Sequence, residues 1–167
     1  MKFCPMCATS LETMLSFGVT RPTCPMCGYI VFQDPKVVVV ALVEYGGKVL
    51  LGKRNINPCL GKWSFLSGYV ERCEKVEEAA LREVKEETNL DVTLTALLGV
   101  YSDNNNPIIL IVYRAEVVSS ILDMTPQLDE VSELAFFSLN ELPELAFPFD
   151  SKILRHFVTG DRQIALD

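Results

Sequence analysis

The chain has 167 residues, of which 49% are hydrophobic and 22% are charged, a composition typical of one folded domain with room for a small appendage. The net charge of −7 argues against duplex DNA or an anionic membrane as a partner, because both attract basic surfaces. The longest apolar run, at residues 37–43, is far shorter than the roughly 20 residues of a membrane-spanning helix.

The N-terminus has no apolar segment behind a basic start, which predicts that no signal peptide is present. We therefore expect a cytoplasmic protein. In that reducing compartment, the six cysteines are not expected to form a disulfide framework. The single histidine, His156, follows no nucleophile motif, which disfavours a Ser-His or Cys-His hydrolase.

Four cysteines form two near-identical pairs close to the N-terminus. Both pairs read Cys-Pro-Met-Cys, and residues 8–23 separate them. A Cys-x-x-Cys turn supplies two converging thiolates, and a hairpin between two such turns completes a tetrahedral zinc site. The sequence predicts a structural zinc ribbon over residues 1–33, with these ligands: Cys4, Cys7, Cys24 and Cys27.

From residue 34 to residue 167, the pattern predicts one α/β domain. The β-rich run at 37–45, the Gly46-Gly47 turn and the segment 48–54 predict a hairpin, followed by a loop at 55–62 and a short apolar segment at 63–69. Further elements are predicted in this order: a helix at 74–88, strands at 92–101, 108–118 and 133–138, and short helices at 140–145 and 151–158.

The predicted helix at 74–88 carries two distinct faces. Its apolar residues, including Ala79, Ala80 and Val84, form one stripe. Glu83, Glu86 and Glu87 fall at i, i+3 and i+4 and share another face, where like charges repel. Divalent cations such as Mg²⁺ or Mn²⁺ would stabilise such a cluster, because they prefer carboxylate oxygens. The charge pattern alone leaves a solvated helix face open as the alternative.

The spacing around this helix resembles the signature of the Nudix hydrolases. The matching positions are Gly68, Glu74, Arg82, Glu83, Val84, Glu86, Glu87 and Leu90. Asn89 stands where the family has Gly, and it can adopt the same left-handed helix cap. Leu66 stands where the family commonly has Pro. The resemblance implies an α/β/α sandwich with a mixed sheet, here preceded by the ribbon.

The resemblance also implies metal-dependent attack of water on a diphosphate. Glu83, Glu86 and Glu87, with Gly68, would hold Mg²⁺ or Mn²⁺, and Glu83 would orient or deprotonate the water. We expect Glu130, rather than Glu133, to complete the site. Arg82 is expected to form a structural ion pair with Glu74. Arg54 is a candidate for phosphate contact, with a solvated strand-end cation as the alternative. Trp63 is a candidate for base stacking, with core packing as the alternative.

The ribbon ahead of such a domain is similar to that of NADH diphosphatases and related ADP-ribose or FAD pyrophosphatases. A nucleotide of this class is therefore the expected substrate, although residues 102–107 are rich in Asn and show no NADH-diphosphatase motif. A nucleoside triphosphate pyrophosphohydrolase and a non-catalytic module that binds nucleotides or RNA remain alternatives. A ribbon of this size buries little apolar surface by itself, so a homodimer is expected, with the ribbon at or beside the interface.

Overall fold

The computed structural model describes residues 1–159, and the chain divides into two compact units between residues 35 and 36. The sequence pattern placed this boundary two residues earlier. None of the helices within the described residues has the length and apolar character needed to cross a membrane.

The first unit is a two-stranded hairpin flanked by two cysteine turns. Strands β1 (Glu12–Ser16) and β2 (Val19–Thr23) pair antiparallel, and the turn between them uses Gly18 at φ +75°. In each cysteine turn the first cysteine's carbonyl accepts a backbone hydrogen bond four residues later, from Ala8 at 2.9 Å and from Gly28 at 3.0 Å. The hairpin thus brings the two cysteine pairs together.

The second unit contains a seven-stranded mixed sheet. Its strands are β3 (Lys36–Tyr45), β4 (Lys48–Arg54), β5 (Trp63–Ser64), β6 (Leu66–Tyr69), β7 (Val92–Asp103), β8 (Asn106–Val117) and β9 (Val131–Phe137). The order is β5-β4-β3-β8-β7, with β6 pairing β3 and β9 pairing β4. Strands β3 and β8 run parallel, and the other pairs are antiparallel.

Alternate residues of β3 serve the two faces of the sheet. On one face, Val39 packs with Ala79 and Ala80 of helix α1 (Val76–Thr88). On the other face, Leu42 packs with Ile153 of helix α2 (Asp150–Thr159). Because both faces are covered by helices, the strand is apolar throughout its centre, and the expected α/β/α sandwich is confirmed.

Helix α1 begins two residues later than predicted and ends where predicted. Asn89 follows it in the left-handed conformation, at φ 60°, and donates its backbone N–H to the Lys85 carbonyl oxygen at 2.8 Å. Asparagine therefore serves as the C-cap at the position where the family has glycine.

The helix predicted at residues 140–145 is wrong. The chain there forms a turn, and Leu145 makes a parallel bridge to Trp63. Pro143 has no N–H to donate, and tertiary pairing replaces the local helical preference. The strand predicted to start at residue 133 begins at Val131, and a short 3₁₀ turn at Ile121–Asp123 was not predicted.

Candidate functional site

The carboxylates of α1 pack directly against the backbone of β6. The Ser67 N–H donates to Glu87 Oε2 at 3.1 Å. A Cβ at residue 68 would lie 2.0 Å from the Glu83 carboxyl carbon and 2.1 Å from each of its oxygens. Glycine at this position therefore leaves space for the Glu83 carboxylate. The backbone of Gly68 is outside the left-handed region, so this close approach, and not the backbone conformation, is the reason for glycine here.

Arg82 is the centre of an ion-pair network. Its Nε and Nη2 donate to the two oxygens of Glu74, at 2.7 and 3.0 Å, which is the ion pair expected from the sequence. Its Nη1 also donates to Glu83 Oε1 at 2.7 Å and to Glu86 Oε2 at 2.9 Å. One guanidinium thus joins Glu74, in the segment before α1, to two carboxylates of α1 itself, Glu83 and Glu86.

The carboxylates of the cluster have very different environments. The Arg82 hydrogen bonds lower the pKa of Glu74 to about 2. Burial, with the nearby Glu83 charge, raises the pKa of Glu87 to about 8, and burial also raises the pKa of Glu83. Negative charge at Glu83 and Glu87 is therefore under-compensated by the protein's own cations.

A cavity of about 540 Å³ opens beside this cluster. Its acidic lining residues are Glu71, Glu83, Glu86, Glu87, Glu130 and Asp150, and its lining cations are Arg54 and Arg82. Much of the remaining wall is apolar, from β3, β8 and the segment before α2. The cavity therefore combines an acidic region with a surface suited to an uncharged ring system.

Glu130 and Glu133 occupy different surroundings. Glu130 lines the cavity, and its charge contributes to the raised pKa of both Glu83 and Glu87. Glu133 lies on β9 and pairs with Lys53 Nζ at 3.2 Å, and it is absent from the cavity lining. Of the two acids, Glu130 is the one in position to join the cluster.

The two residues expected to contact substrate are placed differently. Arg54 lines the cavity, where Nε donates to the Pro58 carbonyl oxygen at 2.8 Å and the guanidinium lies 5.0 Å from the Phe147 ring centroid. Trp63 packs edge-on against Phe137, with centroids 4.9 Å apart, and it does not line the cavity. The position of Trp63 favours the alternative of core packing.

Sequence reasoning missed Asp150. This residue is only 5% exposed, lines the cavity and accepts the Phe147 N–H through Oδ2 at 2.9 Å. Burial raises the pKa of Asp150 to about 6. The available signal was the Phe-Pro-Phe-Asp run, because Pro and an acid in the first turn are typical of a helix N-terminus.

The four cysteines of the first unit form a compact cluster. Their sulfur atoms all lie within 4.8 Å of one another, with Cys4–Cys27 at 3.6 Å and Cys7–Cys24 at 3.5 Å. Sulfurs bound tetrahedrally to one zinc ion at 2.3 Å would be ~3.8 Å apart. Within residues 1–159 this is the only set of three or more potential ligands so closely spaced, and it could bind a metal ion.

Residues 33–157 match the NUDIX domain model. The match covers most of the chain and contains the whole carboxylate cluster, so the chain belongs to the NUDIX family. The predictions of family, fold and enzyme class are confirmed by this match and by the relatives.

Three known proteins illustrate the similarity. An ADP-ribose pyrophosphatase from Methanocaldococcus jannaschii is 40% identical over 78% of this chain and 77% of its own length. The NAD-capped RNA hydrolase NudC from Pseudomonas aeruginosa is 32% identical over 94% of this chain, which spans only 54% of that relative. The crystal structure of a NUDIX hydrolase from Nitrosomonas europaea has a TM-score of 0.88 at 33% identity, covering 95% of this chain and 91% of that chain.

The close approach at Gly68 predicts a separation of activity from folding. In Gly68→Ala, the new Cβ displaces the Glu83 carboxylate, which is the movable end of a side chain, so the fold survives while the site is distorted. We expect turnover to fall by roughly 10²-fold or more, the scale of losing a preorganised charged group. Circular dichroism and thermal unfolding should remain close to wild type. Full activity in this variant would contradict the assigned position of Glu83.

The buried Glu87 carboxyl predicts a pH dependence of stability in protein without added Mg²⁺ or Mn²⁺. Its pKa rises on folding from 4.5 to about 8, so the folded state binds this proton more tightly. The free energy of unfolding should therefore fall, through this group, as pH rises from about 4.5 to about 8. Urea denaturation of wild type and Glu87→Gln across this range measures it. The wild-type curve should fall more steeply, and identical slopes would refute the prediction.

Proposed function

We propose that this protein hydrolyses the diphosphate linkage of a nucleoside diphosphate derivative of the ADP-ribose, NADH or FAD class, using Mg²⁺ or Mn²⁺. The observation that carries the proposal is the continuity of the α1 carboxylates with a cavity that has an extensive apolar wall. Carboxylates suit the cations that accompany a diphosphate, and the apolar wall suits a nucleoside.

The residues present fit a hard divalent cation. Glu83 lies against the Gly68 backbone, Glu87 accepts the Ser67 N–H, and Glu86 lines the same cavity. Glu87 is buried, and burial raises its pKa. Bound there, Mg²⁺ or Mn²⁺ would neutralise the diphosphate and acidify the attacking water.

The chain's own residues have separable roles in the proposed reaction. Glu83 orients the attacking water or accepts a proton from that water. Arg82 fixes the position of the Glu83 carboxylate by donating a hydrogen bond to Oε1. Arg82 and Glu74 position the segment before α1, and Glu130 completes the acidic set. Arg54 offers a guanidinium to the substrate phosphates. Hydrolysis then depends on positioning and charge stabilisation without a covalent enzyme intermediate.

The relatives support two substrates in particular. The Methanocaldococcus jannaschii protein is named for ADP-ribose, and the similarity spans most of both chains. The NudC relatives are named for NAD-capped RNA and match 93–94% of this chain in several cases. We place ADP-ribose first because this chain spans only about half the length of the NudC relatives.

The two other possibilities are less well supported. A pyrophosphohydrolase acting on nucleoside triphosphates would use the same carboxylates, and an assay with ATP and GTP beside ADP-ribose, NADH and FAD would detect it. A non-catalytic module that binds nucleotides or RNA would not need the complete carboxylate set that is present.

We also propose that residues 1–33 are a ribbon built on one structural Zn²⁺ and residues 34–167 the catalytic domain. The spacing of the four sulfurs supports the ribbon. The need to keep these thiolates reduced supports a cytoplasmic location.

A homodimer remains our proposal for the assembly. Leu15 and Phe17 of the ribbon hairpin are 78% and 81% exposed, and Phe32, stacked on Phe17 at 6.5 Å, is 55% exposed. A second chain that covers this surface would bury it from water. Light scattering of the full-length protein should report a dimer, and a stable monomer at micromolar concentration would exclude it.

Glu86→Gln tests the proposed activity. This change keeps the side-chain size and removes one carboxylate from an exposed helix position, so turnover of ADP-ribose with Mg²⁺ should fall roughly 10²- to 10³-fold with the fold intact. Chromatographic measurement of AMP formation provides the assay. Glu78→Gln is the matched control, because Glu78 lies on α1 outside the cavity lining and forms an ion pair with Lys75 at 3.3 Å. Equal activities of the two variants would defeat the metal-site assignment.

Metal analysis tests the ribbon. We expect one zinc per chain in wild type and a clear loss of zinc in Cys24→Ser, whose sulfur is buried within the cluster. Cys73→Ser is the control, because Cys73 is an exposed thiol outside the cluster. Substantially less than one zinc per wild-type chain after re-supply would disprove a zinc ribbon.

A further inference from the structure

The apolar part of the cavity has the form of a surface for a planar ring. Val38 and Leu110 are paired in register on the parallel strands β3 and β8, and both line the cavity with Val40 and Ile108. The segment before α2 contributes Phe147 and Phe149 to the same cavity. Aliphatic and aromatic walls of this kind bury the faces of a nucleobase but do not distinguish one base from another.

Asp150 is a buried acid beside this apolar region. Its residue is 5% exposed, and Oδ2 accepts the Phe147 N–H at 2.9 Å. This bond caps helix α2 and uses one oxygen. Among residues 1–159, the structure shows no hydrogen-bond donor to Oδ1. Within the described residues no fully buried side-chain oxygen lacks a partner, so Oδ1 is accessible, and Asp150 lines the cavity, where a ligand can supply a donor.

The charge of Arg54 links this carboxylate to the acidic region. Arg54 lies close enough to favour the ionised form of both Asp150 and Glu87, and its guanidinium covers the Phe147 ring. Arg54 therefore borders both the acidic region and the part of the cavity formed by Phe147 and Asp150, so one nucleotide can contact both.

We propose that Asp150 is a specificity-determining residue that accepts a hydrogen bond from the exocyclic amino group of an adenine-type base. This inference rests on the proposed function and deepens it. Adenine carries a 6-amino donor, whereas hypoxanthine carries a 6-oxo acceptor that would face the carboxylate oxygen. Such a mismatch leaves buried polar groups unpaired, which is how a polar site rejects an otherwise similar substrate.

Asp150→Asn separates this role from helix capping. The asparagine oxygen can still accept the Phe147 N–H, while its amide NH₂ replaces the acceptor offered to the base. The ratio of kcat/KM for ADP-ribose over inosine diphosphate ribose should fall about tenfold, the effect expected for one hydrogen bond to a charged group. We expect most of this change in KM, because the carboxylate cluster is untouched.

Asp103→Asn is the matched control. Asp103 is exposed, caps a local turn by accepting the Asn105 N–H at 2.8 Å, and lies outside the cavity lining. This variant should keep the wild-type substrate ratio. An equal loss on both substrates in Asp150→Asn would mean that the residue only caps the helix and would overturn the proposal.

Binding measurements keep the inference independent of hydrolysis. With Mg²⁺ present, calorimetry should show that wild type binds AMP more tightly than IMP and that Asp150→Asn loses the difference. If wild type hydrolyses none of the diphosphates, the proposed function fails, and the AMP–IMP comparison still decides the role of Asp150. Equal affinities for AMP and IMP in wild type, or no AMP binding at millimolar concentration, would overturn the inference.

Discussion

The close contact between the Glu83 carboxylate and the backbone at Gly68 is the constraint on which the site depends. Helix α1 approaches the sheet closely because Ala79 and Ala80 present small side chains to Val39. The Glu83 carboxylate occupies the space that a Cβ at residue 68 would fill, so it can lie there only because residue 68 is glycine. Packing of the helix and geometry of the acidic cluster are therefore one arrangement.

Electrostatics explain why this arrangement is suited to a metal ion. Arg82 satisfies Glu74 with two hydrogen bonds and shares its remaining donors among Glu83, Glu86 and the Tyr69 carbonyl oxygen. Glu87 receives only the Ser67 N–H among the contacts of the described residues, and its raised pKa reports the uncompensated burial. The protein's own cations thus stabilise the negative charge of Glu74 far better than that of the buried Glu87. A divalent cation would supply the missing positive charge.

Positions that depend on long-range pairing were harder to predict. The preference for Glu130 over Glu133 came from a family resemblance, whereas the structure separates the two acids physically: the register of β9 on β4 places Glu133 beside Lys53 and leaves Glu130 at the cavity. Trp63 was a candidate for base stacking, yet its strand pairs with β4 and its ring packs on Phe137. The helix expected at residues 140–145 was lost because Leu145 pairs with the distant Trp63.

The sequence by itself determined the carboxylate face of α1 and the four-sulfur cluster. Both follow from local geometry. Helical spacing at i, i+3 and i+4 places three acids on one face. Each Cys-x-x-Cys turn brings its two sulfurs together, and the short hairpin between the turns brings the two pairs together. Only the tertiary structure decided which surfaces meet these groups. Gly68 faces Glu83 because β6 pairs with β3 beneath α1, and Asp150 reaches the cavity because α2 packs on the other face of the sheet. Those contacts join residues far apart in the chain, and no local periodicity encodes them.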